Sequence, residues 1–165
     1  MRIKRILVPI DFSEASDAAL AEARDLAVTL GASVRIVHVF DDPYVTGAMS
    51  ADGQMFLSPD LRAALVADAE ARLHERLQAS VSSGLGEETA LLNGPVAASI
   101  VEYARGHAVD LILMATHGRG GMAHLLLGSV AERVVRTAPC PVLTLRPQPV
   151  RARAREIPAG ATAQA

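Results

Sequence analysis

An α/β sandwich around an open, mostly parallel five-stranded sheet is the fold this sequence predicts, and three observations point to it. Short apolar runs rich in Ile, Val and Leu alternate along the chain with segments whose apolar residues recur at helical spacing. The runs VDLILMA (109–115) and CPVLTLRP (140–147) are largely continuous, the grammar of parallel strands covered on both faces. A chain of 165 residues, 50% of them hydrophobic, is sized for one domain with a substantial core. Strict alternation of strand and helix then implies right-handed crossovers.

The elements follow in order. IKRILVPI (3–10) is a β-branched apolar run, and DFSEAS (11–16) supplies Ser13 as a helix N-cap with Glu14 in the first turn. Leu20, Ala23, Ala27 and Leu30 form the inner stripe of that helix, and Gly31 stands where it should end. SVRIVHVF (33–40) is the second strand. Residues 41–59 mix Pro, Gly and Asp with Met55 and Phe56, a composition that suits a long mobile loop or lid and equally a surface insertion. Ser58 and Pro59 open a long helix whose stripe is Leu61, Leu65, Ala69, Leu73 and Leu77, running down to Gly84. ETALL (88–92) is a weak third strand. A helix from Pro95 to Gly106 turns Ile100, Val101 and Ala104 inward, and a last helix spans roughly residues 125–137, passing through Gly128 and Ser129. Beyond Gln148 the chain lacks periodicity, so a domain of residues 1–147 followed by a disordered tail of residues 148–165 is expected.

Composition excludes some roles. The net charge of −2 gives no global attraction to nucleic acid or an acidic membrane, and Phe12, Phe40, Phe56, Tyr44 and Tyr103 are too few for base-stacking platforms. No run approaches a membrane span, and the first residues lack a signal-peptide pattern, so a cytoplasmic protein is expected. Cys140, alone between Pro139 and Pro141, reads as a buried reduced thiol.

The stretch MATHGRGGMAHLLLGSV (114–130) concentrates Gly118, Gly120, Gly121 and Gly128, which suggests positive φ or a ligand pressed against backbone. A phosphate is the natural candidate. Gly118, Gly120 and Ala123 satisfy a dinucleotide fingerprint formally, but it lies in the last unit, and position 143, where an acidic residue belongs, is Leu. GSV at 128–130 has no lysine, so a Walker A loop is excluded. What remains is a loop after the fourth strand facing the loop after the first. If the first strand is central, both line one crevice at the carboxyl ends of the strands, where helix N-termini aim N–H groups at anions.

These residues resemble the universal stress proteins, whose ATP-binding members carry G-x2-G-x9-G-[S/T] after the fourth strand. The resemblance runs from residue 1 to about 146 and includes VPIDFSEAS, the HVF of strand two, the GP before helix three and GSVAERVVRTAPCPVLTLRP. It implies a Rossmann-like domain of the adenine-nucleotide alpha-hydrolase type that takes ATP, with or without Mg²⁺. By the family pattern Pro9, Ile10 and Asp11 lie near the nucleoside, with Asp11 at the ribose. Val39 offers backbone to the adenine, Gly118, Arg119, Gly128, Ser129 and Val130 surround the phosphates, and Met114 and Ala115, the latter at the motif's first position, complete the nucleotide-binding set. Ala115 departs from the pattern, standing where the family has its first glycine. Its methyl fits at negative φ and crowds the ligand if backbone contact is required.

An enzyme is the weaker reading. Ser129 and His117, with Asp11 or Asp110, invite a nucleophilic triad, yet Ser129 falls in a helix rather than a strained elbow. His38, His74, His107 and His124 have no metal-ligand spacing. For phosphoryl transfer only Arg119 as clamp and Asp11 as base or metal contact suggest themselves. The expectation is a nucleotide-dependent stress-response regulator with at most weak ATP hydrolysis. The alternatives are a dimeric interaction protein without nucleotide and a slow ATPase. A homodimer through the last strand is expected, because PVLTLRP is an apolar sheet edge.

Overall fold

A computed structural model of the chain describes residues 2–41, 58–79, 86–116 and 127–146. Its elements are β1 (Arg5–Pro9), α1 (Glu14–Leu30), β2 (Ser33–Phe40), α2 (Pro59–Gln78), β3 (Glu87–Asn93), α3 (Val96–Gly106), β4 (Leu111–Ala115), α4 (Ser129–Thr137) and β5 (Val142–Leu145). The five strands pair in parallel in the order β3-β2-β1-β4-β5, which makes β1 central.

Alternation along each strand divides the core between the two faces. Ile6, Val8, Val34, Ile36, Leu111 and Leu113 point toward Leu20, Ala23 and Ala27 of α1 and Leu73 of α2. Leu7, Val37, Val39, Ile112 and Met114 point the other way, onto Ala97, Ile100 and Val101 of α3 and Ala131 and Val134 of α4. Small residues on α1 let that helix lie close to the sheet, and Ala19, Ala23 and Ala27 are fully buried.

Local signals set the helix ends. The Ser13 hydroxyl accepts the Ser16 N–H at 3.3 Å, opening α1. Gly31 closes it at φ +62, a left-handed position where glycine has no Cβ penalty. Ser58 caps α2 by accepting the Leu61 N–H at 3.2 Å, with Pro59 as first helical residue. Arg24 of α1 ties the layers together: its guanidinium grips both oxygens of Glu87 at 2.9 Å and donates to the Arg76 carbonyl at 2.6 Å. Glu87 is buried beneath that pair, with a side chain 2% exposed.

Some expectations are corrected. The last helix begins at Ser129, with Gly128 as its N-cap rather than an interior residue, and β1 is Arg5–Pro9, shorter than the run 3–10. Of the α2 stripe, Ala69 and Leu73 are buried, whereas Leu61 and Leu65 are exposed. Apolar periodicity marks which side of a helix faces inward, not how far the sheet extends beneath it. Cys140 is only half-buried, being next to the exposed Pro139 and Pro141. Residues 42–57 of the expected lid and the tail from residue 148 lie outside the described residues.

Candidate functional site

Strand pairing opens a seam in the middle of the sheet. At the amino end β1 and β4 are fastened. Asp110 accepts the backbone N–H groups of Lys4 and Arg5 at 2.9 Å each, and its own N–H reaches the Arg5 carbonyl at 3.0 Å. The ladder between them then contains only Ile6↔Leu111 and Leu7↔Ile112. Past that point Val8 and Pro9 pair with β2, and Leu113 to Ala115 pair with β5. Pro9 has no N–H to offer β4. The chain runs from β1 outward to β2 and β3 and afterwards to β4 and β5 on the other side, so this seam is the topological switch point, where ligands of open parallel sheets collect.

The β1–α1 loop forms one wall. Ile10 is buried, donates its N–H to the Val37 carbonyl at 2.8 Å, and its own carbonyl meets Nδ1 of His38 at 2.8 Å. Asp11 is half-buried. Its Oδ1 accepts the Ser13 N–H at 3.1 Å and the Ser13 hydroxyl, and its N–H reaches Oγ of Ser16 at 3.4 Å. Phe12 then takes φ +63.

On the other wall, β4 ends with Met114 buried, Ala115 half-buried and Thr116 buried. Thr116 donates its N–H to the Leu145 carbonyl at 2.8 Å, and its carbonyl accepts the Gly128 N–H at 2.7 Å. The chain leaving β4 and the chain entering α4 are thereby stitched together at the seam. Gly128 brings no capping side chain, so among the described residues the first turn of α4, which starts at the exposed Ser129 and half-buried Val130, has no N-cap side chain. That end of the helix carries its positive partial charge and suits an anion.

Ala115 lies in extended β4, outside the positive-φ residues, with its methyl packed toward the α1 side of the core. Glycine's conformational freedom is therefore not needed there. Gly128 is likewise at φ −70 and ψ 156, backbone that any residue adopts, so positive φ does not explain it. Val39 is buried, with its side chain in the α3 and α4 cluster and its backbone paired with Leu92 of β3. The fold thus brings Pro9, Ile10 and Asp11 together with Met114, Ala115, Gly128, Ser129 and Val130 around one seam, with Val39 on the neighbouring β2. Gly118 and Arg119 lie outside the described residues, as does His117.

The triad alternative loses a member to topology. Asp110 precedes β4 at the fastened end, whereas Ser129 stands at the carboxyl end, the length of the strand away. Among the described residues no three His, Cys, Asp or Glu side chains converge to hold a metal. Burial pushes the Cys140 thiol above its ordinary range, which favours the unreactive protonated form. A groove of about 440 Å³ lies elsewhere, between β3 and α3, lined by Leu91, Leu92, Tyr103 and His107.

Sequence reasoning missed the conformation of Phe12 and what surrounds it. Its ring lies 4.3 Å from that of His38, centroid to centroid, and the guanidinium carbons of Arg72 and Arg76 stand 4.2 and 4.9 Å from its centre. No spacing rule connects residue 12 with α2, so the sequence carried no signal for it.

The geometry has known counterparts. Universal stress protein MJ0531 of Methanocaldococcus jannaschii is 35% identical over 144 residues, covering 87% of this chain and 82% of that protein. Among solved structures, that of MJ0577, also from Methanocaldococcus jannaschii, superposes with a TM-score of 0.76 at 25% identity, covering 91% of this chain and all of that one. A universal stress protein solved with cAMP and one from Archaeoglobus fulgidus solved with dAMP share the fold, at TM-scores of 0.65 and 0.60 and identities of 22% and 20%. The former comparison covers 88% of this chain and 98% of its partner, the latter 87% and 98%. The defining pattern of the universal stress protein family matches residues 2–146, and this chain belongs to that family.

Proposed function

We propose that this protein binds an adenine nucleotide, ATP, at the β1/β4 seam, and acts in the cytoplasm as a nucleotide-dependent regulator of a stress response, with at most slow hydrolysis. The carrying observation is the seam itself. Pairing between the two central strands stops after Leu7↔Ile112, and the start of α4, whose N-cap Gly128 has no side chain, is tied beside them through the Gly128 to Thr116 hydrogen bond. A phosphate chain fits such a cluster of N–H donors, and close approach to backbone requires the small side chains of Ala115, Gly128 and Ser129. In this reading Gly118, Arg119, Gly128, Ser129 and Val130 hold the phosphates together with Met114 and Ala115. Pro9, Ile10 and Asp11 receive the nucleoside, Asp11 at the ribose, and the Val39 backbone meets the adenine. Mg²⁺, where present, arrives on the phosphates, since this ion is held by one or two carboxylates plus phosphate oxygens rather than by a protein cage. Structures of the same fold with cAMP and dAMP support the choice of adenine nucleotide.

Residues 1–147 form the binding unit, and the tail from residue 148 is dispensable for it. Two copies join through β5, a sheet edge that exposes Leu143. The experiment is to release and identify nucleotide from freshly purified protein, then to measure stability with ATP added. At about 100 times its Kd, ATP should stabilise the fold by ~2.7 kcal/mol. Empty protein with no response to ATP would leave the dimeric interaction protein as the better account.

A further inference from the structure

We propose that Phe12 is a positioning residue: clamped from outside by α2, it fixes where the Asp11 carboxylate stands at the β1/β4 seam. The inference rests on the nucleotide reading above and adds a determinant of ribose recognition that is itself outside the set of contacting residues.

Phe12 adopts φ +63, a backbone conformation that bulky residues rarely take and that persists only where surrounding structure enforces it. The enforcing contacts come from three elements. Its half-buried ring packs on the α1 side of the core and lies 4.3 Å from the His38 ring of β2, at an interplanar angle of 40°. From α2, the Arg72 and Arg76 guanidiniums stand over the ring at 4.2 and 4.9 Å, within the range of cation–π attraction. Arg76 is in turn held by both oxygens of Asp17 on α1, at 3.0 and 3.1 Å, and Arg72 has an ion pair with Asp68 at 3.8 Å.

Asp11 sits between two anchored neighbours. On its amino side Ile10 is bound to β2 through the Val37 carbonyl and His38. On its carboxyl side the left-handed turn at Phe12 brings Ser13 back, so that its N–H and hydroxyl both donate to Oδ1 of Asp11 while its oxygen caps α1. Were Phe12 free to relax to negative φ, the peptide following Asp11 would rotate and this turn would open. The ring and its cationic cover therefore transmit the position of α2 to one carboxylate.

Full-length protein is titrated with ATP, 2′-deoxy-ATP, 3′-deoxy-ATP and AMP. The original protein should bind ATP at least tenfold more tightly than one of the deoxy analogues. Phe12→Ala should reduce that ratio to within about twofold, as Asp11→Ala does, and leave the ATP-to-AMP ratio intact, because the α4 terminus is untouched. The double variant should lose no more discrimination than either single one. Phe12→Tyr should restore the ratio, and Phe12→Leu, which lacks the π face, should not. Arg72→Gln, a milder change in a side chain outside the proposed set of contacting residues, should lower the ratio about threefold in folded protein, and it decides the matter if Phe12→Ala does not fold. Undiminished ribose discrimination in folded Phe12→Ala or, failing that, in Arg72→Gln overturns the proposal while leaving nucleotide binding in place. Equal affinity of the original protein for ATP and both deoxy analogues overturns it in the same way. Absence of binding to every nucleotide overturns the functional reading, and this proposal falls with it.

Discussion

Gly128 illustrates how a residue's meaning changes with its exact position in an element. Read as a helix interior residue, it is a liability that leucine would relieve; as the N-cap of α4 it is a tolerable choice, and leucine is a poor one. Gly128→Leu should therefore cost the free protein roughly 1 kcal/mol by cap preference, measurable as a lower denaturation midpoint. The variant should also lose the whole ATP-induced stabilisation, because a branched side chain at the mouth of β4 occupies the space proposed for phosphates. A folded variant that keeps the full ATP shift would place the phosphates elsewhere. Other single residues announce themselves plainly: Ser13, Gly31, Ser58 and Pro59 do in the structure what helix-end chemistry assigns them. Phe12 does not. Left-handed backbone at a phenylalanine is imposed by tertiary contacts, and propensity argues against it.

At the scale of elements, the strand runs were legible almost to the residue, SVRIVHVF matching β2 in full, because Val and Ile dominate it even though Ser33, Arg35 and His38 interrupt the apolar run. Helix boundaries were legible where a cap marks them. The start of α4 was misread because Leu125, Leu126 and Leu127 continue the apolar pattern without a capping side chain to interrupt it. For β5 the sequence left open which leucine faces where. Both Leu143 and Leu145 pair with α1-side residues of β4, yet Leu145 packs on the core and Leu143 is 42% exposed. The two positions should therefore separate assembly from folding. Leu143→Asp should shift a β5-paired dimer toward monomer in light scattering at micromolar concentration, with a loss of fold stability under about 0.5 kcal/mol, as for a surface change. Leu145→Asp should lower stability by several times that amount, since it brings a charge against apolar packing. A protein already monomeric before substitution would overturn the β5 dimer.

The whole molecule limits the chemistry more firmly than any one residue does. With β1 central, the sheet order collects the β1–α1 loop, the end of β4 and the start of α4 at one crevice, and it removes Asp110 to the opposite end. That arrangement was legible as soon as the strand order was assumed; the parting of β1 from β4 was not, since register lies in no single run of residues. The binding role proposed for that crevice asks only for donors and space. Rapid phosphoryl transfer asks for more: a charge-neutralising clamp, a placed metal and an oriented nucleophile, each contributing orders of magnitude. The Asp11 carboxylate, the candidate base, already shares one oxygen between two donors of Ser13 and serves as part of the turn that starts α1. With saturating ATP and excess Mg²⁺, the protein should accordingly return most nucleotide unhydrolysed, with turnover well below one per minute, far under the ~1–10³ per second of ordinary enzymes. Many turnovers per minute, retained after purification to constant specific activity and lost in Asp11→Asn, would make Asp11 a catalytic base and this protein an enzyme.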